Sequence, residues 1–152
     1  MHPQETQILQ DILHRMVARY ATIRPLGIDL GEDRKLLPSM NCRILNYGAA
    51  RTLYRARRPI CRSLDAVKAI QEPDKHCQEC LDRKHCTPQV RLDLLFENRP
   101  YRLLLAYTSA KNFLFYTGEL ALRKLEIQRV CTHIRILNRG SWGELCFTVR
   151  LS

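Results

Sequence analysis

No stretch of this 152-residue chain approaches the roughly 20 apolar residues a membrane-spanning helix needs, so no membrane partner is expected. The opening Met1-His2-Pro3-Gln4-Glu5 lacks the charged-then-apolar layout of a secretory leader, and the expected location is the cytoplasm, where thiols stay reduced. Catalytic signatures are equally scarce. There is no GxxxxGK[ST] phosphate loop, no GxSxG nucleophile elbow and no HExxH zinc helix. Acidic residues are few and mostly scattered, so no pair of carboxylates suggests two-metal chemistry, and no enzyme is expected. Internal repeats, low-complexity tracts and long linkers are missing too.

The shortage of acid leaves a surplus of base. Twenty-five Lys and Arg face 15 Asp and Glu, for a net charge of +10 and a pI near 9.6. Charge of this size aids solubility by itself, but here it is clustered. Arg51, Arg55, Arg57, Arg58, Arg62 and Lys68 fall close together around Tyr54, opposed locally only by Asp65. Arginines beside an aromatic suit a phosphate backbone carrying unstacked bases. An anionic lipid surface would draw the same charges, but no lipidation motif accompanies them.

Seven cysteines are present, and four are spaced for chelation: Cys61-x15-Cys77-x2-Cys80-x5-Cys86. The segment between Pro59 and Pro88 has few apolar residues (Ile60, Leu64, Val67, Ile70, Leu81) and little of its own to fold around. A coordinate tie is the expected remedy. Zinc suits a closed set of four thiolates; a [4Fe–4S] cluster takes the same set, and a proline follows Cys86 closely. A closed set argues for a structural ion, since catalytic zinc keeps an open position. His76 and His85 adjoin Cys77 and Cys86 and are candidate substitutes for one ligand, while Cys42, Cys131 and Cys146 fall in strand patterns and read as core.

The remaining pattern is α+β. Ile8, Leu9, Ile12, Leu13, Met16, Val17 and Tyr20 predict an amphipathic helix over 5–22 that docks on the domain, on a second copy, or on a replication or recombination protein. Met40, Cys42 and Ile44 read as a strand, with a helical turn or basic arm over 49–58. Val90 to Phe96 and Tyr101 to Tyr107 alternate on either side of a turn at Glu97-Asn98, so Tyr101 and Tyr107 read as core. A helix over 110–125, capped by Thr108-Ser109, precedes two further strands, one from Val130 to Ile136 and one from Leu145 to Leu151. The order strand, insert, strand, strand, helix, strand, strand matches a five-stranded OB-like barrel; a ββαββ module of other topology is the competitor. The regions are then 1–25 (helix), 26–58 (first strand and basic arm), 59–88 (zinc-ribbon-like insert) and 89–152 (rest of the barrel).

In an OB barrel the first and last inter-strand connections flank the nucleic-acid face. Here the first holds the cysteines and arginines. The second holds Arg139 and the single tryptophan, Trp142, which either stacks a base or plugs the barrel end. Arg91, Arg102 and Arg135 occupy polar strand positions, and Lys111-Asn112 opens the helix where a phosphate could sit.

Cys61-Arg62-Ser63-Leu64-Asp65, Cys77-x2-Cys80 and Thr108-Ser109-Ala110-Lys111-Asn112-Phe113 resemble small phage, prophage and mobile-element proteins described as single-stranded-DNA-binding. The likeness spans Cys61 to Trp142. It implies a metal-bearing OB-like core that holds exposed single strands during replication or recombination. The expectation is a non-enzymatic protein binding single-stranded DNA, or RNA, through Arg51, Tyr54, Arg55, Arg57, Arg58, Arg62, Arg139 and Trp142. The rivals are a zinc-ribbon assembly subunit in a nucleoprotein complex and an iron–sulfur redox or sensor protein.

Overall fold

The computed structural model describes residues 19–31, 36–70 and 76–150. The helix expected over 5–22 lies mostly outside them, and its described end is not helical. There β1 (Arg19–Tyr20) runs parallel to a later strand, and the Ala21 N–H donates to the Arg102 carbonyl at 2.9 Å. The next residues, Thr22 and Ile23, are β-branched and favour extended backbone. They enter a small antiparallel hairpin of β2 (Thr22–Arg24) and β3 (Gly27–Asp29).

The longest element is β4 (Ser39–Arg55), 17 residues of one continuous strand. It includes 49–55, where a helical turn or arm was expected. Its two flanks explain why: β5 (Arg58–Ser63) and β6 (Thr87–Phe96) both pair with this stretch, so its backbone groups find ladder partners. A two-residue turn at Glu97 and Asn98, both with positive φ, leads into β7 (Arg99–Ala106). Then come α1 (Tyr107–Leu122) and the hairpin of β8 (Cys131–Asn138) and β9 (Gly143–Arg150).

The main sheet has seven strands in the order β1-β7-β6-β4-β8-β9, with β5 added on β4. Only β1 pairs in parallel, so the sheet is mixed and the class is α+β. Among the described residues no ladder joins β7 to β9, and the expected barrel does not close. The helix takes that place. The Leu145 N–H donates to Ser109 Oγ at 3.0 Å, and its carbonyl accepts from Asn112 Nδ2 at 2.9 Å. Ser109 is therefore a buried anchor instead of a cap, Asn112 is committed to β9 instead of a phosphate, and α1 starts three residues earlier than predicted.

Leu92, Leu94, Leu103 and Leu105 from the sheet meet Phe113 and Leu120 from α1 to form the core. Tyr101 is buried there as expected. Tyr116 reaches the fully buried Thr132 through a 2.7 Å hydroxyl contact, which satisfies both groups. Cys42 is buried and Cys146 half-buried, but Cys131, also read as core, is exposed. No described helix is long and apolar enough to cross a membrane.

Candidate nucleic-acid interface and cysteine cluster

The arginine-rich segment is the tip of the β4–β5 hairpin. Its turn residues Ala56 and Arg57 both have positive φ, 50° and 64°, as a twisted two-residue turn requires. Arg55, Arg57 and Arg58 are exposed at this tip. Tyr54, 40% exposed, accepts a hydrogen bond from Gln89 Nε2 at 3.2 Å, and Gln89 in turn accepts one from Thr52 at 2.6 Å.

Register sorts the flanking residues by face. Arg51 pairs with Ser63 and Leu53 with Cys61, so these four share one side; Thr52 and Arg62 share the other. On that other side Arg62 stacks over the Tyr20 ring at 4.7 Å, and Arg102 approaches it at 5.9 Å. Arg91 and Arg102 both clasp the buried Asp93, at 3.1 and 2.8 Å. Arg91 also donates to the Leu64 carbonyl, tying the cysteine lobe to the sheet. These arginines hold structure together, while Arg135 faces solvent.

All four predicted ligands come together. Cys61, Cys77, Cys80 and Cys86 line one cavity of about 20 Å³, with Ser63, Ala69, Arg51 and Arg83. Short turns deliver them. Asp65 accepts from the backbone N–H groups of Lys68 (2.9 Å) and Val67 (2.8 Å) and from Ser63 Oγ (3.0 Å), which holds its carboxyl below the usual range. The Cys77 N–H then donates to the Val67 carbonyl at 2.7 Å, and single 3-10 turns at Cys77–Glu79 and Arg83–His85 turn the backbone toward Cys80 and Cys86. Burial raises the Cys86 thiol pKa, and so do the neighbouring Cys80, Cys61 and Cys77; Arg51 opposes them. Cys86 Sγ donates to the Asp82 carbonyl at 3.5 Å. Among the described residues no three His, Cys, Asp or Glu side chains are set to hold an ion outright. His76 and His85 are exposed and do not line the cavity.

Arg139 and Trp142 lie elsewhere. Ser39 pairs with Arg135, and the Ile136 N–H donates to the Pro38 carbonyl, so the β8–β9 turn lies beyond the start of β4 while the arginine hairpin lies at its end. Trp142 is 45% exposed, and Arg139 reaches Glu144 at 3.4 Å. Gly143 abuts the Arg24 carbonyl, where a Cβ would come within 2.5 Å. The fold thus joins the cysteines to Arg51 and the hairpin, and leaves Trp142 on a separate turn.

Two aromatics lie outside every expected site. Tyr107, read as core, is 77% exposed, and Phe115 is 65% exposed. Their signal was present in the spacing of Tyr107, Ala110, Lys111 and Leu114, a second helical stripe beside the buried Phe113, Tyr116 and Leu120. No known protein family, curated protein or solved structure matches the chain.

Proposed function

We propose that this protein binds single-stranded nucleic acid, DNA in preference to RNA, without catalysing a reaction on it, and serves replication or recombination of a phage or mobile element. A structural zinc ion held by Cys61, Cys77, Cys80 and Cys86 would order the lobe beneath the binding hairpin. The observation that carries the reading is the convergence of four thiols and two guanidiniums on one small cavity at the foot of an exposed arginine hairpin.

By their chemistry, though not by their present placement, four thiols are a donor set suited to one zinc ion. Four thiolates around a divalent ion leave two negative charges, and Arg51 and Arg83 line the same cavity to offset them. To serve as a ligand Cys86 would have to give up its bond to the Asp82 carbonyl as it loses its proton.

The finer fold reading is an OB-like one. The antiparallel ladders β4–β6, β6–β7, β4–β8 and β8–β9, with α1 between β7 and β8, follow that connectivity except for barrel closure. Arg55, Arg57 and Arg58 would meet phosphates beside Tyr54, and Arg139 with Trp142 would form a second contact.

Fluorescence anisotropy with a labelled oligo-dT tests this. Affinity is expected to fall steeply between 50 and about 200 mM salt, with little dependence on base sequence. No binding at low salt, or binding indifferent to salt, refutes it. Elemental analysis of the purified protein should find one zinc per chain.

A further inference from the structure

On the cysteine side of the sheet runs a groove of about 620 Å³ that none of the roles above uses. Its floor is Pro88 and Val90 of β6, and its wall is the stripe Tyr107, Ala110, Lys111 and Leu114 of α1, with Phe115 at the rim. Register places floor and cysteines together: Pro88 pairs with Arg51, which lines the thiol cavity, and cross-strand partners share a face.

We propose that this groove is where the bases of a bound DNA single strand stack, with Tyr107 and Phe115 as the platforms. The inference deepens the single-strand reading above and rests on it. Three observations carry it. The two rings are the most exposed aromatics among the described residues. The described residues of the groove lining include no acid, and Lys111 Nζ stands over the Phe115 ring at 5.8 Å, so a cation marks the place where stacked base and phosphate would meet. At the other end Arg51 leads into a second hollow lined by Arg83 and Lys84 together with Glu79. The result is an aromatic shelf with cations at both ends, complementary to a strand whose bases are apolar-faced and whose backbone is anionic.

Tyr107 adds a fourth observation. Its φ is +48°, a conformation that disfavours a side-chained residue, yet the ring it displays touches little. The lining also favours DNA. Its polar side chains are Lys111, Tyr107 and Gln89, and Gln89 is already engaged with Thr52 and Tyr54, so a ribose 2′-hydroxyl finds few partners.

The test is oligo-dT binding by the full-length protein and three variants. Tyr107→Gly removes the ring where glycine suits the backbone, so its thermal midpoint should hold or rise while affinity drops about tenfold. Phe115→Leu should lose a similar factor with folding intact. Leu122→Ser, 87% exposed at the far end of α1, should bind like the unaltered chain. Irradiated oligonucleotides carrying 5-iodouracil should cross-link to Tyr107 or Phe115. If the unaltered protein binds dT but both ring variants match it, or cross-links map only to other residues, the groove is not the path and this inference fails alone. If oligo-rU binds more tightly than dT, the DNA assignment fails. If the unaltered protein binds neither, the single-strand reading itself fails.

Discussion

Asp65 shows how much one side chain organises in a lobe with almost no core. Three hydrogen bonds end on a single carboxylate oxygen, two of them from the backbone that turns toward Cys77. Because these bonds favour the ionised form, the folded pKa lies below the unfolded one. The support is therefore fully present above the ordinary aspartate value, about 4, and fades as pH falls through the lower folded value. The protection of the Val67 and Lys68 amides, taken relative to the intrinsic exchange rate at each pH, should fall on acidification below about pH 4, and in Asp65→Asn these amides should exchange faster at neutral pH with that acid step lost. Unchanged neutral-pH exchange in the variant would contradict this. Cys42 illustrates the opposite environment. Burial first, then the neighbouring Cys131, pushes its thiol up to about 12, and the residue acts as a small core hydrophobe.

The decisive element is the β4–β5 hairpin, an arginine run converted into a two-stranded arm. Its turn uses Ala56 and Arg57 in left-handed conformations that asparagine and glycine adopt far more readily. Ala56→Asn combined with Arg57→Gly should raise stability by about 1–2 kcal/mol in urea unfolding. On the single-strand proposal the same change would delete a phosphate contact, so affinity for oligo-dT should fall and the salt slope should shrink by about one charge. Gains in both stability and affinity would mean that Arg57 does not meet the strand. The helix carries a comparable double assignment: one stripe fills the core, Ser109 and Asn112 secure β9, and a second stripe remains on the surface.

Across the whole molecule the sheet and the cysteine lobe depend on different forces. The sheet has a continuous apolar core; in the lobe only Ala69 is a buried apolar residue among those described between Ile60 and Cys86. If the proposed zinc supplies what the missing core does not, chelation should open the lobe selectively. Limited proteolysis after treatment with a strong chelator should cut within 64–86 while the 89–150 region stays intact, and added zinc should restore protection. Cleavage spread evenly along the chain would contradict this division. Much of this was legible in one dimension, because period-two alternation marked the strands after Pro88, and thiol spacing together with poverty of apolar residues marked the lobe. Local chemistry misread other places where a distant partner decided the outcome. Residues 49–55 became strand because β5 and β6 flank them, and Ser109 became an anchor because Leu145 offered backbone groups at the sheet edge. Spacing in the chain singled out the four thiols that line one cavity. Only the tertiary register decided that Arg51 would join them, that Trp142 would stand at the other end of β4, and that Tyr107 would face a groove, since which side chains share a face depends on strands far apart in sequence.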